Sequence, residues 1–261
     1  MDNDNKCSTC VKEKYNKVPV SRILEKLDGL FSTNDLEAAE RLLEYWENEA
    51  VRICDDRGLL EILNEEIGFY RRVSKKDKAL KAVYNAFDII NKFNDPESVS
   101  FATVYLNGAT TLKAFGRTSE AMPYYMKAKS VYDKKLAPND YMLAAFYNNI
   151  SSAYKDLEDF DKCEESCIKA IEILKSNEGY LGEIAVTLIN LAHLYYERDP
   201  FNERTYELMD EAFQNLMSDK NEHDGNFAFI CSKCYPSFGF FGYFEREAEL
   251  KSLMEKIYEG T

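Results

Sequence analysis

The chain has 261 residues, of which 45% are hydrophobic and 30% charged, enough to bury a substantial core as one large or two medium domains. Only 11 Gly and 6 Pro are present and β-branched runs are scarce, which favours helices over sheets. A net charge of −13 argues against general nucleic-acid binding and against adhesion to anionic membranes, since both need clustered Lys and Arg. No apolar run reaches the ~20 residues of a membrane span. The opening stretch "MDNDNKCSTCVKEKYNK" lacks an apolar signal core, so a cytoplasmic protein with reduced thiols is the expectation. Heavy use of Lys, Asn, Tyr and Ile points to an AT-rich, bacterial coding sequence.

Residues 1–17 read as a flexible N-terminal tail, and 18–261 as one repeat domain. Residues 21–53 pattern as a helix–turn–helix, with Asn34 or Asp35 capping the second helix. From there the chain repeats itself. "ATVYLNGATTLKAFGRTSEAMPYYMKAK" (102–129) superposes on "AAFYNNISSAYKDLEDFDKCEESCIKAI" (144–171), so that Tyr105 meets Tyr147, Asn107 meets Asn149 and Ala121 meets Cys163. The same register runs back to Leu63, Ile67, Tyr70, Ala79, Val83 and Ala86, and forward to Leu188, Asn190, Ala192 and Tyr195. The units fall roughly at 20–55, 56–95, 96–137, 138–178, 179–221 and 222–259, each a pair of amphipathic helices. Polar connectors separate them, with Asp95 and Pro96 suited to a helix end and the next cap. In the last unit Gly239 and Gly242 mark the turn, and Pro236 should kink or shorten the first helix.

The small–aromatic–small pattern of these units resembles the tetratricopeptide repeat (TPR), its signature positions filled in the third unit by Tyr105, Gly108, Ala109, Leu112, Gly116, Ala121, Tyr125 and Ala128. A period near 42, with "YNNISSAY" and "LINLAHLYY", is similar to the long-helix variety of kinesin light chains and Rap-type regulators. The resemblance covers roughly 20–259. The chain departs from the pattern at Cys163 and Cys167, and at Asp199-Pro200, where a turn glycine is common. It implies an all-α, right-handed superhelical solenoid of about six antiparallel helix pairs. The first helix of each pair would line a concave groove that holds a peptide or partner segment. Such proteins are scaffolds and rarely enzymes.

Equivalent positions define the rows of that groove. Asn107, Asn149 and Asn190 form one row, with Glu65 in the second unit. Gly68, Thr110, Ser152 and His193 form the next, and Arg71, Lys113 and Lys155 a third, followed by Tyr196. An Asn side chain offers both donor and acceptor to a guest backbone, whatever the guest's side chains. The asparagine row matches that with which the related families hold a peptide backbone. The basic row would favour acidic side chains or a terminal carboxylate. The asparagines could equally fix helix–helix packing, and the basic row could be a solvated face. Asn148, whose equivalents are Asn64, Leu106 and Ile189, belongs to no such series and reads as a local contact at most.

Other signals are weaker. Cys7–Cys10 and Cys231–Cys234 have zinc-ligand spacing but would lie at opposite ends of a solenoid, tens of ångströms apart. Cys163 and Cys167 fall on core positions, and the two histidines, His193 and His223, converge on no nucleophile. No phosphate-cradling glycine loop is present, so neither a catalytic residue nor a cofactor nor a metal is expected. The aromatic stretch Tyr235, Phe238, Phe240, Phe241, Tyr243 and Phe244 reads as a capping core or as a patch for homodimerisation. The expected function is a non-enzymatic peptide-binding scaffold. The alternatives are a Rap-like peptide-responsive regulator, for whose N-terminal effector domain only 20–55 is at hand, and a self-associating structural module.

Overall fold

The computed structural model describes residues 17–93 and 97–259. The expected tail with Cys7 and Cys10, and the Asp95–Pro96 boundary, lie outside the described residues save for Lys17. Twelve helices follow one another with no strand among the described residues: α1 Val20–Ser32, α2 Leu36–Arg52, α3 Asp56–Arg72, α4 Lys76–Ile90, α5 Val99–Ala114, α6 Thr118–Lys135, α7 Tyr141–Asp156, α8 Phe160–Lys175, α9 Leu181–Arg198, α10 Glu203–Leu216, α11 Gly225–Phe240 and α12 Phe244–Glu259.

Local chemistry sets the boundaries. Asp35, Asp55, Asp140, Asp159, Asn202 and Asp224 each accept a backbone N–H of the first turn that follows, satisfying donors that a helix start leaves orphaned. Asp35 is therefore the cap of α2, while Asn34 turns the chain with φ 54°. The turns inside successive pairs place Ser74, Gly116 and Glu158, in repeat register, at φ 57°, 78° and 59°. Only Gly116 reaches that left-handed region without a Cβ penalty. At the next turn the register breaks: Asp199 is extended, and Pro200 follows. Pro236 does not shorten α11, which runs on to Phe240.

From α3 onward each odd helix packs on the even helix after it, and successive odd helices also touch one another, whereas even helices do not meet in the same way. The odd helices therefore lie on the inner, shorter side of the stack. Small residues let the pairs approach: Ala79, Ala121, Ala128, Cys163, Cys167 and Ala212 are fully buried. Three apolar clusters run along the chain, centred on α1–α3, α3–α7 and α7–α12. Phe238 belongs to the last, whereas Phe240 and Phe244 are 62% and 70% exposed. Among the described residues one carboxyl is buried in this apolar setting: Glu66, 2% exposed, with Oε1 lacking a hydrogen-bond partner.

The ends of the stack are not far apart, contrary to the sequence expectation. α1 packs on α11, and Arg72 at the end of α3 reaches Tyr258 in α12. A Cβ at Gly225 would stand 2.7 Å from the Ser32 backbone, so only glycine permits this approach. The curvature of the inner helices has carried the last pair back to the first.

Candidate binding groove

All nine residues singled out from the sequence stand on odd, inner helices and are half-buried: Arg71 on α3, Asn107, Thr110 and Lys113 on α5, Asn149, Ser152 and Lys155 on α7, Asn190 and His193 on α9. Half-burial at a 3–4 residue spacing is what a stripe on the inner face requires. Gly68 on α3 adds open space, because a Cβ there would meet nothing within 4 Å.

The asparagines are tied to their neighbours. Asn107 Nδ2 donates to Asn64 Oδ1 at 2.9 Å, and Asn190 Nδ2 donates to Asn148 Oδ1 at 3.0 Å. Asn148 is thus an interhelical acceptor, which corrects its reading as a local contact. Asn64 and Asn148 serve alternate repeats, leaving Asn149 to bond its own helix through Ala145 O at 2.8 Å. Each amide spends one N–H this way and keeps its second N–H and its carbonyl oxygen. Among the described residues the buried side-chain atoms without a partner are Glu66 Oε1 and Thr205 Oγ1, so the three asparagine oxygens are not sealed off unpaired.

The two hydroxyls of the next row are locally satisfied. Thr110 donates to Leu106 O at 2.8 Å and accepts from Tyr125 Oη at 3.3 Å, and Ser152 donates to Asn149 O at 2.9 Å. His193 is walled in by α11: Nε2 lies 2.9 Å from Ser237 Oγ, and the Phe241 ring is 4.8 Å away. Burial, with Lys155 nearby, brings its pKa down to about 4, so the ring is neutral at pH 7.

In the basic row, Lys113 Nζ is 3.7 Å from Asp156 and Lys155 Nζ is 3.0 Å from Glu197. Each lysine is answered by a carboxylate one repeat further on. Among the described residues Arg71 has only the Thr111 hydroxyl, at 3.4 Å, and burial holds its pKa below the ordinary value. Glu65, in the second unit, is pushed up by burial. Sequence reasoning missed Asn64, Asn148, Asp156 and Glu197, although each lies one repeat from the residue it serves.

The hydrogen bond between Cys163 and Cys167 pushes the first thiol up, together with burial, and draws the second down, while burial pushes Cys231 up to about 12. Among the described residues no group of His, Cys, Asp or Glu is placed to hold a metal. No described helix is long and apolar enough to cross a membrane.

A stack of helix pairs with paired inner helices defines the class of tetratricopeptide-like solenoids, which are typically non-enzymatic protein-interaction scaffolds. The tetratricopeptide-repeat family profile matches residues 144–176, the α7–α8 pair. Three solved structures share the fold. BtubC (BKLC) from P. vanneervenii is 16% identical over 94% of this chain and 92% of its own, with a TM-score of 0.52. The nearly identical TPR-like repeats of a Podosopora anserina kinesin light chain are 15% identical over 76% of this chain and 94% of theirs, with a TM-score of 0.53. A Rap protein complexed with competence and sporulation factor is 13% identical over 92% of this chain and 75% of its own, with a TM-score of 0.60. No curated protein sequence matches the chain.

Proposed function

We propose that the chain is a non-enzymatic, cytoplasmic scaffold that holds an extended peptide or partner segment against the inner faces of α3, α5, α7 and α9. The observation that carries this reading is the row Asn107, Asn149 and Asn190, half-buried on successive inner helices with carbonyl oxygens not sealed off unpaired. Those oxygens and the remaining N–H groups can pair with a guest backbone repeat by repeat. The similarity to a Rap protein complexed with competence and sporulation factor supports the same reading, and supports a peptide-responsive regulator as its variant.

Asn149 gives the clean test, because among the described residues its side chain bonds only its own helix. A partner captured from lysate by the wild-type chain is mapped to a segment, synthesised, and titrated against Asn149→Ala. Affinity should fall several-fold with melting unchanged. Equal affinity would remove the asparagine row from the interface. The exposed Phe240 and Phe244 favour a second reading, self-association through α11–α12. Light scattering of a Phe240→Ser, Phe244→Ser chain distinguishes it, since only a dimer built on this patch would dissociate.

A further inference from the structure

A cavity lies outside the groove, at the first helix pair. It encloses about 440 Å³ between α1 and α2, and no residue of a later helix lines it. The sequence of α2 explains its presence. Ala39, Leu43 and Ala50 form the stripe that the core buries. Leu42, Trp46 and Ile53 make a second apolar stripe beside it, half-buried, and Tyr45 is 57% exposed. A helix that serves one core needs only one apolar stripe, and the outermost pair of a stack ordinarily turns a polar face outward. The aromatic and aliphatic surface here is therefore surplus to the fold, which marks it for a ligand.

The lining divides by chemistry. Pro19, Ile23, Leu42 and Ile53 supply aliphatic surface. Tyr45 and Trp46 supply two rings, set edge to face with centroids 5.2 Å apart. The rest is charged, with Lys17, Arg22, Lys26 and Arg52 against a single carboxylate, Glu49. Arg52 already holds that carboxylate, donating Nη2–H to Oε2 at 2.8 Å and Nε–H to Oε1 at 3.1 Å. Lys17, Arg22 and Lys26 are exposed, and among the described residues none of the three has a carboxylate at ion-pair distance. In a chain of net charge −13 this is a local excess of positive charge beside apolar surface.

We propose that the cleft between α1 and α2 binds a small amphiphilic carboxylate, its apolar body against Trp46 and the aliphatic lining and its anionic head among Lys17, Arg22 and Lys26. The volume falls within the roughly 300–1,000 Å³ of small-molecule sites, which likewise combine apolar lining with a few charged groups that fix orientation. A neutral guest would leave the three cations unanswered, and an inorganic anion would leave the rings and aliphatic lining wet. A second copy of the chain docking through this same face would set like charges against each other. The site shares no helix with the groove proposed above, so it stands or falls independently of that reading.

Trp46 is the only tryptophan in the chain, so tryptophan emission reports on this cleft alone. The full chain is titrated with two matched pairs, decanoate with decanol and phenylbutyrate with phenylbutanol, below any micelle concentration, and with acetate. Emission is followed for wild type and for a chain carrying Arg22→Glu and Lys26→Glu, exposed positions whose effect on the fold is checked by circular dichroism. One or both acids should shift the emission of wild type to the blue and bind about tenfold tighter than the matching alcohol. The acid preferred distinguishes an aliphatic from an aromatic body. Acetate should leave the emission unmoved, and the charge-reversed chain should lose the preference for acid while keeping its affinity for alcohol. Equal binding of acid and alcohol by wild type overturns the charged mouth, as does an unchanged preference in the reversed chain. An emission that moves with no probe overturns the site. One that moves with protein concentration overturns it in favour of a second copy, and one that moves only with phosphatidylglycerol vesicles overturns it in favour of a membrane surface.

Discussion

Arg72 and Tyr258 are 186 residues apart in the chain, yet the arginine donates Nη2–H to the tyrosine hydroxyl at 3.4 Å. The same guanidinium lies over Phe31 of α1 and Phe229 of α11. One side chain thus joins the second helix pair to the first and the last. Replacing it by Ala removes one hydrogen bond and two cation–π contacts, about 1–3 kcal/mol together. Small-angle scattering of Arg72→Ala should show a larger radius of gyration. An unchanged radius would assign the closure to the Gly225–Ser32 approach alone.

The asparagine ladder divides into two kinds of position. Asn107→Ala and Asn190→Ala each strand an acceptor, Asn64 or Asn148, and should cost about 1 kcal/mol in urea unfolding. Asn149→Ala should stay within a few tenths of wild type, since Ala is also the better helix former. A uniform loss at all three positions would contradict the pairing.

Glu66 makes stability depend on pH. Burial first, then Glu47, raise its carboxyl from 4.5 to about 8. The folded state therefore keeps a proton that the unfolded chain releases above pH 4.5. Its contribution is intact in acid and is lost as pH rises towards 8, by on the order of 3 kcal/mol. Glu66→Gln should melt well above wild type at pH 8, and the gap should close near pH 5.

His193 works in the opposite sense. Its folded pKa is about 4 against 6.5 for an ordinary histidine. Stability is present above pH 6.5 and is lost as pH falls towards 4. Water reaches part of the ring, so the loss is on the order of 1–2 kcal/mol. Lys155 opposes its protonation and Glu197 favours it. His193→Gln should flatten the acid limb of the melting profile, and Glu197→Gln should steepen it.

Glu158 occupies the turn position that Gly116 fills one repeat earlier, at φ 59°. Glu158→Gly should stabilise the chain by up to about 1 kcal/mol by relieving the Cβ clash. The same change at Asp199, where the turn is extended, should not. Chemical denaturation of both variants checks the contrast.

The repeat register makes most of the fold legible in the sequence. The spacing that pairs Asn107 with Asn149 also sets the helix pairs, the small residues between them and the inner row. The closure was not legible, because nothing in a local period says how far small rotations between pairs accumulate. Nor were the counter-ions. Asp156 and Glu197 sit one position beyond the lysine stripe, on a face that period-counting assigns to solvent, and only the next helix's rotation brings them in. Asn148 was misjudged for a similar reason: its partner is a residue of the neighbouring ladder, not a member of its own.

The contact between Gly225 and Ser32 changes how the stack should come apart. An open array of repeats frays from its free ends, each terminal unit held by one neighbour only. Here the terminal pairs hold each other, so neither end can peel away without opening the other. Amide exchange in α1 and α12 should therefore be slowed together, and a single Gly225→Ala substitution should speed both at once.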